Sequence, residues 1–241
     1  MTRSRRDRVQ HLLFGLAISL LPSVAGAAAP PDRAPDTMAA RVLACAPCHG
    51  AEGQGTKDDY FPRIAGKPAD YLYNQLSAFR DGRRKYAPMN YLLEYLPDSY
   101  LREIAEYFAA ERPPYPTPEA SPASKAVLAH GKALVTGGDP AREIPACANC
   151  HNPSFTGMQP AIPGLVGLHA HYISAQLGAW RYGTRTAAEP DCMQIVAGHL
   201  SEADVTAIAA YLSSLPAPAD PSPVPAGSLP MPLACGSEPL K

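Results

Sequence analysis

The chain has 241 residues, with 21 lysines and arginines against 22 aspartates and glutamates, and a formal net charge of −1. This near balance gives no basis for nucleic-acid binding, which needs a basic surface. The length suits two domains of about 100 residues each better than one small domain.

The N-terminus has the pattern of an export signal. Four arginines precede an apolar run at residues 12–21, and small residues follow at 25–27. This order predicts a signal peptide over residues 1–27 and export from the cytoplasm. The run is short for a membrane span, and an uncleaved anchor is the alternative. The cysteines agree with export, since four lie in paired motifs and the other two can bond to each other in an oxidising compartment.

The first motif with clear chemistry is Cys45-Ala46-Pro47-Cys48-His49. Two cysteines separated by two residues and followed at once by histidine can form thioether bonds to both vinyl groups of a haem while the imidazole ligates its iron. A zinc site would need a second pair of ligands at metal spacing, and a thioredoxin-like redox site would need a βαβ pattern; the sequence has neither. The motif predicts one covalently attached haem c.

The segment after this motif predicts a helical domain around the haem. A glycine-rich loop suits a chain that passes close to a flat ring, and it leads to Pro62. Apolar residues recur at helical spacing after Pro68. Met89 is expected in the next loop, and an amphipathic helix is expected after Pro97. These elements define a predicted first domain over residues 28–111.

Five prolines make residues 112–123 a predicted extended linker without helix or strand. The same order of elements then returns over residues 124–216, with a second attachment motif at Cys147, Cys150 and His151. Positions that match at one fixed offset are Pro62 with Pro163, Gly66 with Gly167, Tyr71 with Tyr172, Gln75 with Gln176, Leu76 with Leu177, Arg80 with Arg181, Gly82 with Gly183 and Arg84 with Arg185. Such a register indicates an internal duplication, and therefore two haems.

Methionine is the expected second ligand of each iron. Met89 and Met193 follow His49 and His151 at nearly equal distances, each between the middle and last helices of its half. Most methionines only fill a core, but this matched placement favours the ligand role. A thioether opposite the imidazole would raise the reduction potential and leave no open coordination position.

Pro62 and Pro163 are predicted to hold the two ligating histidines. A metal-bound imidazole usually donates its other ring N–H to an acceptor such as a backbone carbonyl, and each proline carbonyl is a candidate. The alternative is that each proline only shapes its turn.

A helix that begins at Ser201, with Asp204 completing a capping box, should close the second domain. The proline-rich tail that follows occupies residues 217–241. Cys192 and Cys235 lie outside the attachment motifs, and we expect them to form a disulfide that folds the tail back beside the second haem. The alternatives are that Cys192 competes with Met193 for iron, or that Cys235 joins the protein to another chain.

Residues 80–85 form a basic cluster in the first half. Such a cluster is usually a solvated face, although it could meet a haem propionate or an acidic partner. In the second case Arg83, Arg84 and Lys85 would guide docking, and the rate of electron transfer would fall with added salt.

Residues 36–216 together resemble the dihaem cytochromes c4, and each half more loosely resembles class I c-type cytochromes. The paired CxxCH motifs, proline turns, YxxxQL segments and distal methionines carry the resemblance, with Ile64 standing where leucine is usual. It implies an all-α fold of two tandem cytochrome c-like domains, each around one haem c, with the haems close enough to exchange electrons. It also implies a periplasmic protein, often loosely membrane-associated. The tail after residue 216 departs from the family pattern.

The predicted function is single-electron transfer rather than catalysis. Expected partners are redox proteins such as a terminal oxidase, a dehydrogenase or a quinol-oxidising complex. One alternative is a dihaem enzyme, either a peroxidase or an oxidase of sulfur compounds, which Cys192 beside Met193 keeps open. Another is an electron-entry subunit of a larger respiratory complex, with the tail as a docking strap.

Overall fold

A computed structural model describes residues 35–118 and 120–238. The predicted signal peptide over residues 1–27 lies outside these ranges. Within them, helices dominate, and none is both long and apolar enough to cross a membrane. The chain forms two helical lobes joined by the linker, and both belong to one compact unit that begins at Asp36.

The first lobe is built on an attachment segment and three further helices. The elements in order are α1 (Met38–Arg41), a 3₁₀ turn (Val42–Cys45), α2 (Ala46–His49), α3 (Ala69–Arg80), α4 (Ala87–Leu93) and α5 (Asp98–Ala110). Helices α3 and α5 pack against each other, and the apolar face of α5 supplies Leu101, Ile104 and Phe108 to the core. Apolar residues that recur about every 3.6 positions therefore lie on one face of the helix and form this core.

The second lobe repeats this plan with a longer opening helix and a small sheet. Its elements are α6 (Lys125–Gly137), a 3₁₀ turn (Pro140–Arg142), α7 (Ala148–His151), β1 (Gly157–Met158), β2 (Ile162–Pro163), α8 (Ala170–Arg181), α9 (Cys192–Gly198) and α10 (Glu202–Ser213). Strands β1 and β2 pair antiparallel, with Met158 opposite Ile162. Both strands are two residues long, so the all-α prediction is confirmed in its essentials.

Helix α6 crosses α10 at very short range. A Cβ atom added at Gly131 would overlap the carbonyl oxygen of Ala207, so only glycine allows the two backbones to meet there. The start of α10 is fixed by the predicted capping box, which the structure confirms: the Ser201 hydroxyl accepts from the Asp204 backbone N–H at 3.1 Å, and the Asp204 carboxylate accepts from the Ser201 N–H at 2.8 Å.

The expectation that Met89 lies in a loop is wrong, because it lies inside helix α4. Pro88 occupies the first turn of this helix, where its missing N–H costs no hydrogen bond. Met193 likewise lies in a short helix, α9, whose first turn is capped by the Asp191 side chain accepting from Gln194 N–H at 3.1 Å. Both methionines are thus presented by one or two turns of helix rather than by irregular backbone.

The linker is held against the first lobe although its described residues form neither helix nor strand. The buried guanidinium of Arg63 donates to the carbonyls of Pro113 and Pro114, at 2.6 and 3.1 Å, and stacks 3.8 Å from the centre of the Tyr115 ring. These contacts give the linker a defined path, since proline-rich backbone offers few donors of its own.

Candidate haem sites

The first attachment motif forms a tight turn in front of α3. Cys45 ends the 3₁₀ turn, and Cys48 and His49 lie in α2, so all three side chains come from two successive helical turns. His49 Nδ1 lies 3.0 Å from the carbonyl oxygen of Pro62, across a loop that bends back at Gly50 with a φ of +82°. The other ring nitrogen, Nε2, is left free to bind a metal.

The second motif repeats this geometry. Cys147 precedes α7, Cys150 and His151 lie within it, and His151 Nδ1 lies 2.7 Å from the carbonyl oxygen of Pro163. The proline that fixes this acceptor is a residue of strand β2, which pairs with β1. In both lobes the chain therefore holds the imidazole by a backbone carbonyl in the loop after the motif.

The protonation states of the two histidines and of Cys147 suit haem attachment. Burial lowers the pKa of His49 and of His151, although the proline carbonyls act in the opposite direction. Both imidazoles are therefore neutral near pH 7, with the Nδ1 proton donated to the carbonyl. Burial also raises the pKa of the Cys147 thiol to about 12, so this side chain enters the cavity uncharged.

The residues around the second motif fit a large flat apolar group. One cavity is lined by both cysteines of the motif, by His151 and by Met193. Apolar side chains make up much of the remaining wall, among them Leu134, Ile144, Leu165, Leu168, Ile173, Leu177, Trp180, Leu200 and Ile208. The predicted histidine and methionine thus meet in the same apolar space, as haem c requires.

In the first lobe the corresponding residues border two adjoining apolar clusters. Cys45 packs on a cluster around Leu72, Ile104 and Phe108, whereas Met89 packs on a cluster around Phe79 and Leu101. Tyr73, Leu76 and Leu96 contact both clusters. The motif and the methionine therefore lie on adjoining apolar clusters that these three side chains connect.

The tail closes one side of the second cavity. Cys192 and Cys235 form the expected disulfide, with a Cα–Cα distance of 4.9 Å. Val224 pairs with the backbone beside Met158, and the Glu238 carboxylate accepts from the Ala161 N–H at 2.8 Å. Residues Met231, Leu233, Cys235 and Ser237 of the tail line the cavity. Cys192 has no free thiol for an iron.

A ring of side chains joins the two lobes. The Arg84 guanidinium donates to Gln75 Oε1 at 3.1 Å and to Gln176 Oε1 at 2.6 Å, and Arg185 donates to the same two oxygens at 2.6 and 2.7 Å. Arg84 also donates to the Tyr172 hydroxyl at 2.8 Å. The backbones of the two arginines form an antiparallel bridge. The duplicated positions thus meet each other around an approximate two-fold axis.

This ring corrects one interpretation of the sequence. Arg84 is only 8% exposed, so the description of residues 80–85 as a solvated basic face is wrong at that position. The pattern of charges does not reveal this, because Arg84 stands between two other cations. Arg83 and Lys85 are both more exposed than Arg84. The signal that could have done so is the duplication itself, which matches Arg84 to Arg185.

The site and fold together define a c-type cytochrome with two haems. The family model described as cytochrome c matches residues 37–102 and 128–216, one segment in each lobe. Cytochrome c4 from Pseudomonas aeruginosa is 37% identical over 206 residues, which is 85% of this chain and 96% of that protein. The thiosulfate dehydrogenase electron acceptor of Thiomonas intermedia is 36% identical over 79% of this chain and 82% of its own length.

Among solved structures, reduced recombinant cytochrome c4 from Pseudomonas stutzeri superposes with a TM-score of 0.64 at 32% identity, covering 73% of this chain and 96% of that one. The chain belongs to the cytochrome c family and, within it, to the dihaem cytochromes c4. The predicted resemblance, the two covalently attached haems c and the electron-transfer role are confirmed.

Proposed function

We propose that both irons are bound by histidine and methionine, His49 with Met89 and His151 with Met193, and that the protein carries single electrons without catalysing a reaction of its own. The observation that carries the proposal is the matched placement of the two methionines in short helices. Met193 lines the apolar cavity of the second attachment motif, and Met89 packs on an apolar cluster that adjoins the cluster of Cys45. Each bound haem c supplies a one-electron Fe(III)/Fe(II) couple.

The protein's own residues orient the iron ligands and exclude water from the irons. The carbonyls of Pro62 and Pro163 hold the imidazoles. The side chains of Met89 and Met193 would supply the second ligand of each iron, which would leave no position for substrate. The Cys192 thiol, which would favour an enzyme, is bonded to Cys235. The tail lies on the second lobe, which counts against a role as a free docking strap.

We further propose that the protein works in the periplasm and accepts electrons from a dehydrogenase for delivery to an acceptor such as a terminal oxidase. A relative named as a thiosulfate dehydrogenase electron acceptor supports the first half of this route. Reduction of the oxidised protein by a purified thiosulfate dehydrogenase with thiosulfate tests it directly. Oxidation of thiosulfate or turnover of peroxide by the protein alone would favour an enzyme instead.

The coordination is tested by the weak far-red absorption band of methionine-to-iron charge transfer in the oxidised protein. Met89→Ala and Met193→Ala should each remove about half of it. Met231→Ala is the matched control, because Met231 also lines the second cavity but belongs to the tail. A high-spin iron in the untreated protein, or a band that survives both ligand substitutions, would overturn the assignment.

A further inference from the structure

Lys67 is a buried cation at a place where the internal repeat fails. The fixed offset matches it to Leu168, which is 7% exposed and packs in the apolar core of the second lobe. Lys67 is also buried, at 9% exposure. Its ammonium points to the second lobe and donates to the carbonyl oxygen of Gly164 at 2.7 Å. Gly164 directly follows Pro163, whose carbonyl holds His151.

The protein offers this ammonium little compensation. It has three N–H donors, and within the described ranges Gly164 is its single acceptor and no carboxylate lies within ion-pair distance. Its charged neighbour is Arg63, which is also a cation. Burial and this neighbour lower the pKa of Lys67 to about 7. A buried charge of this kind is costly unless an anion meets it.

The ammonium faces the cavity of the second lobe. Lys67 lines it together with Cys147, Cys150 and His151, and its charge contributes to the lowered pKa of His151. The side chains of Arg185 and Asp191 also border the cavity. Arg185 is a second cation, and the Asp191 carboxylate is already engaged by the N–H groups of Ala187 and Gln194, at 2.7 and 3.1 Å. The group that this cavity receives brings two carboxylates of its own, because haem carries two propionates.

We propose that Lys67 pairs with a propionate carboxylate of the second haem, and that its positive charge raises the reduction potential of that haem. The reduced iron has one more electron than the oxidised iron, so a cation held in a low-dielectric wall favours the reduced state. A residue of one lobe would thereby set the redox equilibrium of the other. This inference deepens the proposed electron transfer, since it concerns which haem holds the electron, and it rests on haem attachment at the second motif.

Spectroelectrochemical titration of the intact dihaem protein tests the proposal. Lys67→Gln keeps an N–H donor for Gly164 but removes the charge, whereas Lys67→Met removes both. Each should lower the reduction potential of the second haem by about 59 mV, which raises its oxidised-to-reduced ratio about tenfold at a fixed ambient potential. Met193→His identifies the wave of the second haem. Lys132→Met, which removes an exposed lysine from the same lobe, is the control and should shift neither wave.

A shift confined to the second haem, of similar size in Lys67→Gln and Lys67→Met, is the expected result. Unchanged potentials in Lys67→Gln would overturn the proposal and leave Lys67 as a clamp between the lobes. Equal shifts of both haems would also overturn it, because they indicate a general change in packing. Either result can occur while two haems and an intact methionine band are present, so the proposed function is judged separately.

Discussion

The two lobes share one haem-binding plan but differ in how much of the chain covers it. In the second lobe the tail lines the cavity, pairs with strand β1 and is bonded to Cys192 beside the proposed ligand Met193. The tail meets the first lobe at Arg63 and Gly66, which border a cavity together with tail residues between 217 and 222. Among the described residues, seven large apolar side chains are exposed. Five of them belong to the first lobe: Leu43, Tyr60, Tyr91, Leu92 and Tyr95.

The comparison separates two kinds of constraint. The positions proposed to bind haem recur in both halves, because one chemistry imposes the same geometry twice. Positions that decide access and stability differ: α5 begins at Pro97 without a side-chain cap, whereas α10 begins with a full capping box. The second lobe is therefore the more constrained of the two, and the first exposes more large apolar side chains.

Removing the disulfide should reduce the difference in stability between the two lobes more than any other change. Cys192→Ser releases a bond between residues 43 positions apart. The loop-entropy estimate for such a bond is about 4 kcal/mol of unfolding free energy. Denaturant titration of the oxidised protein, followed by the far-red methionine band, measures the loss. Cys235→Ser and the double variant should give the same value. An unfolding midpoint equal to that of the wild type would show that the tail is held by its other contacts alone.

The helix crossing in the second lobe is the next most sensitive point. Gly131→Ala places a Cβ against the Ala207 carbonyl and should cost about 3 kcal/mol, since neither backbone can retreat from a packed crossing. Gly137→Ala is the matched control in the same helix, because no atom lies within 4 Å of the added group. Thermal unfolding of the two variants compares them. Equal stability would mean that α6 and α10 can slide apart freely.

Asp204 should make the second lobe acid-sensitive. Burial acts to raise the pKa of this carboxyl, but hydrogen bonds from Arg142, Ser201 and His130 outweigh it and hold that pKa below its usual range. The stabilisation is therefore complete above the unfolded pKa of about 4 and is lost as the pH falls through the lower folded value.

Asp204→Asn should reduce the unfolding free energy at pH 7 by about 2 kcal/mol. It should also flatten the decline of stability below pH 4, which denaturant titrations at several pH values measure. Glu103→Gln, at the matched position of the first lobe, provides the comparison. A decline equally steep in wild type and Asp204→Asn would assign the acid sensitivity to other carboxyls.

Reversing a surface charge should have the smallest effect on stability. Its effect on the rate of reduction by a partner should depend on which lobe carries the change. Lys85→Glu in the exposed part of the first lobe should slow reduction by an acidic partner about threefold at low salt, and high salt should abolish the difference. Lys132→Glu, on the second lobe, should change the rate less. Stability should stay within about 0.5 kcal/mol for both. A larger effect at Lys132, measured by stopped flow, would place docking on the second lobe.

The sequence predicted most of the haem chemistry because that chemistry is local. A CxxCH motif lies within five residues, and the helices around it follow from an apolar period that is visible along the chain. The disulfide was also predictable, since two cysteines remained in an exported chain. Contacts across the lobes were not, because they depend on how two distant segments approach. Arg84 looked like surface charge, and Lys67 gave no signal beyond its mismatch with Leu168. The sequence predicts a loop at Met89 because two turns of helix around Pro88 resemble a loop in sequence.

The ring of arginines and glutamines between the lobes has a consequence for how the protein can evolve. Gln75 and Gln176 each accept from both Arg84 and Arg185. Replacing either glutamine therefore leaves both arginines with a donor that has lost this acceptor, and replacing either arginine removes a donor from both glutamines. The cost of each substitution then depends on the state of the others, and double-mutant cycles should show it as non-additivity. We therefore expect these four positions to change together, in both duplicated halves at once, whereas positions such as Lys67 and Leu168 are free to differ.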